Sequence, residues 1–143
     1  MARVAPSMPT TGTGPERLLE SALRAPGLLS EHDLGWELNP RDLGGACPDL
    51  FWRHRELAVY VDGCQWHGCP VHYRPHTAKA PAPGSPATPH GLTREGVARQ
   101  KHTDRVTRRA LEASGKRVLV FWEHDVVRSA ARCARQIAEA LRR

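Results

Sequence analysis

Apolar positions along the chain fall into two alternations, one of helical period and one of strand-like runs. Leu18, Leu19, Ala22 and Leu23 repeat at helical spacing. Pro15 suits a first helical turn, Glu16 favours the positive N-terminus, and Pro26-Gly27 closes the segment. Gly35 to Leu38 reads as a short strand. A loop bracketed by Asn39-Pro40 and Gly44-Gly45 then delivers Pro48-Asp49-Leu50-Phe51-Trp52, and Arg53 to Glu56 has the look of a hairpin turn. Leu57 to Val61 is nearly all apolar, which predicts a central strand covered on both faces. Thr93, Glu95 and Gly96 resemble a helix start and Gly115 a helix end, with Val97, Val106, Ala110 and Leu111 as its thin apolar stripe. Arg117 to Trp122 is a second clear strand. A last helix over Val126 to Leu141 places Val127, Ala130, Ala134, Ile137, Ala138 and Leu141 on one stripe.

The predicted order is helix, strand, strand, strand, helix, strand, helix. The strand–helix–strand unit from Leu57 to Trp122 implies an α/β fold, a mixed central sheet flanked by helices. At 143 residues the chain fits one domain over 15–143. Residues 1–14 read as a disordered leader, without the features of a secretory signal. From 74 to 92 prolines and glycines replace bulky apolar residues, which predicts a mobile loop within the domain. No stretch reaches the roughly 18 apolar residues of a membrane span, so the expected location is the cytoplasm.

Charge narrows the partners. The formal net charge is +6 and the pI about 9.7, which favours polyanions over acidic small molecules. Arg94, Arg99, Lys101, Arg105, Arg108 and Arg109 form a basic face on the long helix; such faces are most often only solvated, and the other reading is contact with a nucleic-acid backbone. Of the four cysteines, Cys133 sits in an Ala/Arg helical pattern as a small packing residue, and Cys47 has no assigned role.

Cys64, Cys69 and His72 supply three metal-competent side chains within nine residues. Zinc prefers four Cys or His ligands in a tetrahedron, and His124, just after the second strand, is the best candidate for the fourth. A closed Cys2His2 site of this kind is structural. His67, three residues after Cys64, is also a ligand by spacing, and a set of unrelated thiols and imidazoles is the bland alternative.

Asp49 and Asp62 stand at strand ends, where carboxylates can hold a hard cation such as Mg2+. His67 has an ordinary pKa suited to handling the proton of an attacking water, and Glu16 could orient it if the first helix packs over this edge. Singly, each acid reads as a turn or cap residue; together they read as a phosphodiester-cleaving centre.

Three strings carry a resemblance: Pro48-Asp49; Val61 to His72, with Gly-Cys-Gln-Trp-His-Gly-Cys-Pro-Val-His; and Gly115 to His124, with Val-Leu-Val-Phe-Trp-Glu-His. The chain resembles the very short patch repair (Vsr) endonucleases over roughly residues 15 to 140. The resemblance implies a restriction-endonuclease-like fold of the PD-(D/E)xK group and Mg2+-dependent nicking of duplex DNA beside T·G mismatches. It assigns Asp49 as the metal-binding acid, His67 as the catalytic histidine, Glu16 as the helix glutamate and Cys64, Cys69, His72 and His124 as structural zinc ligands. Asp62 stands where some members have histidine, and an acid there is typical of related restriction-like nucleases. Trp66 fits the wedge that such enzymes insert beside a mismatch.

The chain departs from the family at Gln65, where an aromatic is usual, and in the proline-rich stretch that replaces another tryptophan. It also lacks a basic leader, since Arg3 is the sole cation of 1–14. Gln65, Trp66, Arg99, Lys101 and Arg105 are the candidate DNA contacts. A monomer acting on duplex DNA is expected, with a cytosine-5 methyltransferase or mismatch-repair proteins as further partners. Two competing readings stand beside it: a restriction or defence nuclease with another target, and a non-catalytic zinc-stabilised DNA-binding module.

Overall fold

A computed structural model describes residues 14–64, 67–72 and 93–143. The wedge candidates Gln65 and Trp66, the proline-rich stretch 74–92 and residues 1–13 of the expected leader lie outside these. Gly14 belongs to the first helix and not to a leader.

The elements follow the expected order: α1 (Gly14–Leu23), β1 (Glu37–Leu38), β2 (Leu50–Trp52), β3 (Leu57–Asp62), α2 (Arg94–Ala113), β4 (Arg117–Trp122) and α3 (Glu123–Arg142). The sheet order is β1-β2-β3-β4, with β1, β2 and β3 antiparallel and β3 paired parallel to β4. Among the described residues this is a mixed α/β fold of four strands and three α-helices. Between β2 and β3 the predicted hairpin turn is a 3-10 turn, Arg53–Arg55, closed by Glu56 in the left-handed conformation at φ 52°.

β3 divides the core because successive strand side chains point to opposite faces. Leu57, Val59 and Val61 enter the large apolar cluster against α1 and α3, with Leu19, Leu23, Ile137 and Leu141. Ala58 and Tyr60 enter a smaller cluster on the α2 side, with Phe51 and Leu111. Cys133 packs in the large cluster. Asp33, buried within a 3-10 turn at Glu31–Leu34, accepts hydrogen bonds from Ser30, His54 and Arg55, and its carbonyl accepts from Trp52 Nε1 at 2.7 Å.

Both long helices depart from the expected stripes. α3 begins at Glu123, three residues early, and is interrupted at Ser129, whose φ is −156°. The break rotates the first turn, so Val126 is fully buried while Val127 is 58% exposed. In α2, Val106 is 50% exposed and Ala110 is also exposed. The inward line runs Val97, Asp104, Arg108 and Leu111, at spacings of seven, four and three. Two charged residues occupy it. No helix among the described residues is long and apolar enough to cross a membrane.

Candidate active site and metal centre

β3 and β4 end in register at Asp62 and Trp122, so the segments that follow them emerge side by side. The Cys64 amide donates to Glu123 Oε1 at 2.9 Å and ties these segments together. Here one ligand atom each of Cys64, Cys69, His72 and His124 lies within 4.8 Å of the others. Cys64 Sγ and Cys69 Sγ are 3.3 and 3.5 Å from His124 Nδ1, and Cys69 Sγ is 3.7 Å from His72 Nδ1. The amides of Val71 and His72 each donate to Cys69 Sγ at 3.4 Å. This group can hold a metal ion.

The Cys69 amide donates to the Cys64 carbonyl at 2.9 Å. Gly68 has φ +72°, and a Cβ there would lie 2.6 Å from Val97 Cγ1 and 2.7 Å from Lys101 Cε. Glycine is needed twice over, for the backbone angle and for the approach of α2. That approach gives His67 its partner.

His67 Nδ1 lies 2.6 Å from Asp104 Oδ2 and 3.8 Å from Asp62 Oδ1. Burial alone would raise the Asp104 carboxyl, but hydrogen bonds from His67 and Gln100 outweigh it and hold Asp104 below the usual range. An ionised carboxylate only accepts, so Nδ1 carries the proton and Nε2 is the nitrogen left for a substrate. Burial would lower the His67 imidazole, yet the Asp104 bond and the Asp62 charge raise it. Asp104 had no place among the sequence-derived candidates. The available signal was its position on the inward line of α2, which its polarity had masked.

Asp49 precedes β2 and is largely buried, its Oδ2 accepting from the Val61 amide at 2.7 Å. Burial, reinforced by the charges of Glu16 and Asp62, pushes its carboxyl up to about 7. Glu16 on α1 is half-buried.

Asp62 is paired with an arginine of α2. Its two oxygens accept from Arg108 Nη2 and Nη1 at 2.7 and 3.0 Å. It groups with His67 and Asp104, and no trio of Asp49, Asp62 and Glu16 oxygens gathers within 4.8 Å among the described residues. Arg108, read from sequence as part of a solvated face, lies inward, its guanidinium 4.1 Å from the Tyr60 ring centroid. Lys101 and Arg105 are exposed and line a cleft of about 390 Å3 with His67, Asp104 and Trp122. Arg99 is exposed but is not among the residues lining that cleft. A second cleft of about 230 Å3 joins Asp49, Asp62 and His67 to Cys47.

The model of the family described as DNA mismatch endonuclease Vsr matches residues 2–74, about half of the chain and including part of the expected leader. The chain belongs to the Vsr family of DNA mismatch endonucleases. The Vsr enzymes are DNA endonucleases, hydrolases of the phosphodiester bond, and the family implies a restriction-endonuclease-like fold. The type II nicking enzyme V.NaeI of Lentzea aerocolonigenes is 33% identical over 120 residues, 84% of this chain and 65% of that one. The type II nicking enzyme V.NmeDIP of Neisseria meningitidis serogroup C is 32% identical over 131 residues, 92% of this chain and 78% of that one. This chain thus spans just under two thirds of the length of the first relative. No solved structure matches the chain.

Proposed function

We propose that this Vsr-family chain is a Mg2+-dependent endonuclease that nicks one strand of duplex DNA, next to T·G mismatches, as in very short patch repair. The observation that carries the reading is the His67–Asp104 pair, 2.6 Å apart, opening onto a cleft edged by Lys101 and Arg105. Asp104 fixes the imidazole so that Nε2 can take a proton from water attacking a phosphodiester. Lys101 and Arg105 suit the flanking phosphates and Arg99 a phosphate beyond the cleft. Trp66 and Gln65 remain the candidates for reading the mismatch. The names of the relatives support cleavage of a single strand.

The residues fit both metals. Burial first, and then the charge of Glu16, raises the half-buried Asp49 carboxyl, a state that a hard cation relieves; Asp49 and Glu16 would hold Mg2+, which would supply charge neutralisation at the phosphate. For zinc, bond lengths of about 2.3 Å to sulfur and 2.0–2.1 Å to nitrogen imply sulfur–nitrogen edges of about 3.6 Å in a tetrahedron. The measured separations of 3.3, 3.5 and 3.7 Å bracket that figure. Cys64, Cys69, His72 and His124 would hold a structural zinc that pins the His67 loop to the start of α3.

The test is cleavage of T·G, matched and cytosine-methylated duplexes by the purified protein with Mg2+. Single-strand nicks at T·G, lost in Asp49→Ala and His67→Ala, are expected. Cleavage of matched duplexes at equal rate would favour a restriction or defence nuclease. No product on any duplex, with DNA still bound, would leave only the binding module.

A further inference from the structure

The Asp62–Arg108 pair is a buried ion pair inside the candidate site that the roles assigned so far do not use. The Asp62 side chain is 5% exposed and that of Arg108 16%. Both carboxylate oxygens are taken by one guanidinium in the bidentate arrangement that gives such pairs their strength and fixed geometry. The guanidinium is held from a second side by the Tyr60 ring, so Asp62 and Tyr60, both on β3, lock its plane. A divalent cation reaching Asp62 would have to share a carboxylate oxygen with the guanidinium and sit beside a positive charge. Asp49 is held differently, half-buried, with its Oδ2 accepting from the Val61 amide at 2.7 Å and not from a guanidinium.

Arg108 keeps donor capacity after binding Asp62. Of its five N–H groups two are spent on the carboxylate. The residue lines both the His67–Lys101 cleft and the Asp49 cleft, which places a fixed planar cation on the wall shared by the two. Lys101 and Arg105 are exposed by comparison. A preorganised guanidinium at that point matches a phosphate that must be held still while its bond is cleaved.

We propose that Asp62 serves as the anchor of Arg108 and not as a ligand of the divalent cation, and that the anchored guanidinium is a phosphate-binding group of the cleft. The ligand is a nucleic-acid phosphodiester, and the proposal rests on the reading of this cleft as a phosphodiester-cleaving site. It makes Arg108 a positioning cation for substrate and leaves the cation to Asp49 and Glu16.

Two measurements without cleavage test this. Mn2+ alone is titrated and followed by the loss of its free-ion electron paramagnetic resonance signal. The double variant Asp62→Asn/Arg108→Gln keeps the net charge and leaves no buried ion unpaired. It should bind Mn2+ within about threefold of the unaltered protein, while Asp49→Asn binds about tenfold or more weakly. A loss in the double variant as large as that in Asp49→Asn overturns the assignment of Asp62. Duplex binding in EDTA is then measured against salt. The double variant should lower the slope of log K against log salt by about one, and Arg108→Lys should retain it. An unchanged slope in the double variant overturns the phosphate role.

Should the double variant not fold, Arg108→Lys decides with Mn2+. Unchanged affinity supports the proposal, and tightening beyond about threefold would show Asp62 joining the cation once released. Failure to nick any duplex would sink the nuclease reading without touching either measurement, so the two failures are distinguishable.

Discussion

The two faces of the sheet are built on different terms. Against α1 and α3, Leu57, Val59 and Val61 meet a continuous apolar cluster with Leu19, Leu23, Ile137 and Leu141. Against α2, Ala58 and Tyr60 meet little more than Phe51, Ala46 and Leu111, and the helix offers Asp104 and Arg108 where the other face has aliphatic side chains. One face supplies hydrophobic stabilisation at roughly 25 cal/mol per Å2 buried. The other trades part of that for a fixed set of charges in a cleft. Stability and chemistry are thereby assigned to opposite sides of the same strand, and substitutions on the two sides should fail differently.

The largest effect expected is on the α2 face. Asp104→Asn keeps the shape but offers His67 an amide in place of a carboxylate, so nicking should fall by about 10²–10³-fold while the unfolding midpoint barely moves. Single-turnover nicking rates with denaturant unfolding alongside check this, and a rate within tenfold of wild type would break the contrast. Ile137→Ala on the apolar face should do the reverse. It should cost about 3 kcal/mol in urea unfolding while leaving the salt slope of DNA binding in place.

Asp49 is held at the expense of stability. Its folded pKa is raised from 3.8 to about 7 by burial, so the folded state binds a proton that the unfolded state releases across that window. Its contribution to stability therefore falls as pH rises from about 4 to 7. Without divalent cation, Asp49→Asn should be more stable than wild type at pH 8, on the order of a few kcal/mol at most, and equal to it near pH 4. Thermal unfolding at the two pH values decides, and a destabilised Asp49→Asn at pH 8 would contradict the burial account.

The smallest effect belongs to Asp33, away from the cleft. Burial would raise its carboxyl, but hydrogen bonds from Arg55, His54 and Ser30 outweigh this and hold it low. A lowered folded pKa gives stability that is present above the usual carboxylate range and lost as pH falls through and below it. Acid unfolding should show that loss, about 1–2 kcal/mol, and Asp33→Asn should lack it. An identical acid profile for the two proteins would show the network to be energetically idle.

Periodicity and turn chemistry determined most of the architecture. The element order, the all-apolar β3, the Thr93 cap of α2, whose hydroxyl accepts from the Gly96 amide at 2.9 Å, and the strand–helix–strand unit are local signals that tertiary context did not overturn. Cys64, Cys69, His72 and His124 were also legible, because parallel strands ending in register bring adjoining residues together. Which face of α2 turns inward was not legible: periodicity assigns apolar residues to the core, and here Asp104 and Arg108 take that line while Val106 faces solvent. Their partners, Asp62 and His67, lie 46 and 37 residues away in sequence. Only the packing of α2 across β3, permitted by the missing side chain of Gly68, decides that these four charges meet. Spacing within a segment determines ligands that share a loop, whereas an ion pair between elements depends on the angle and closeness at which they dock.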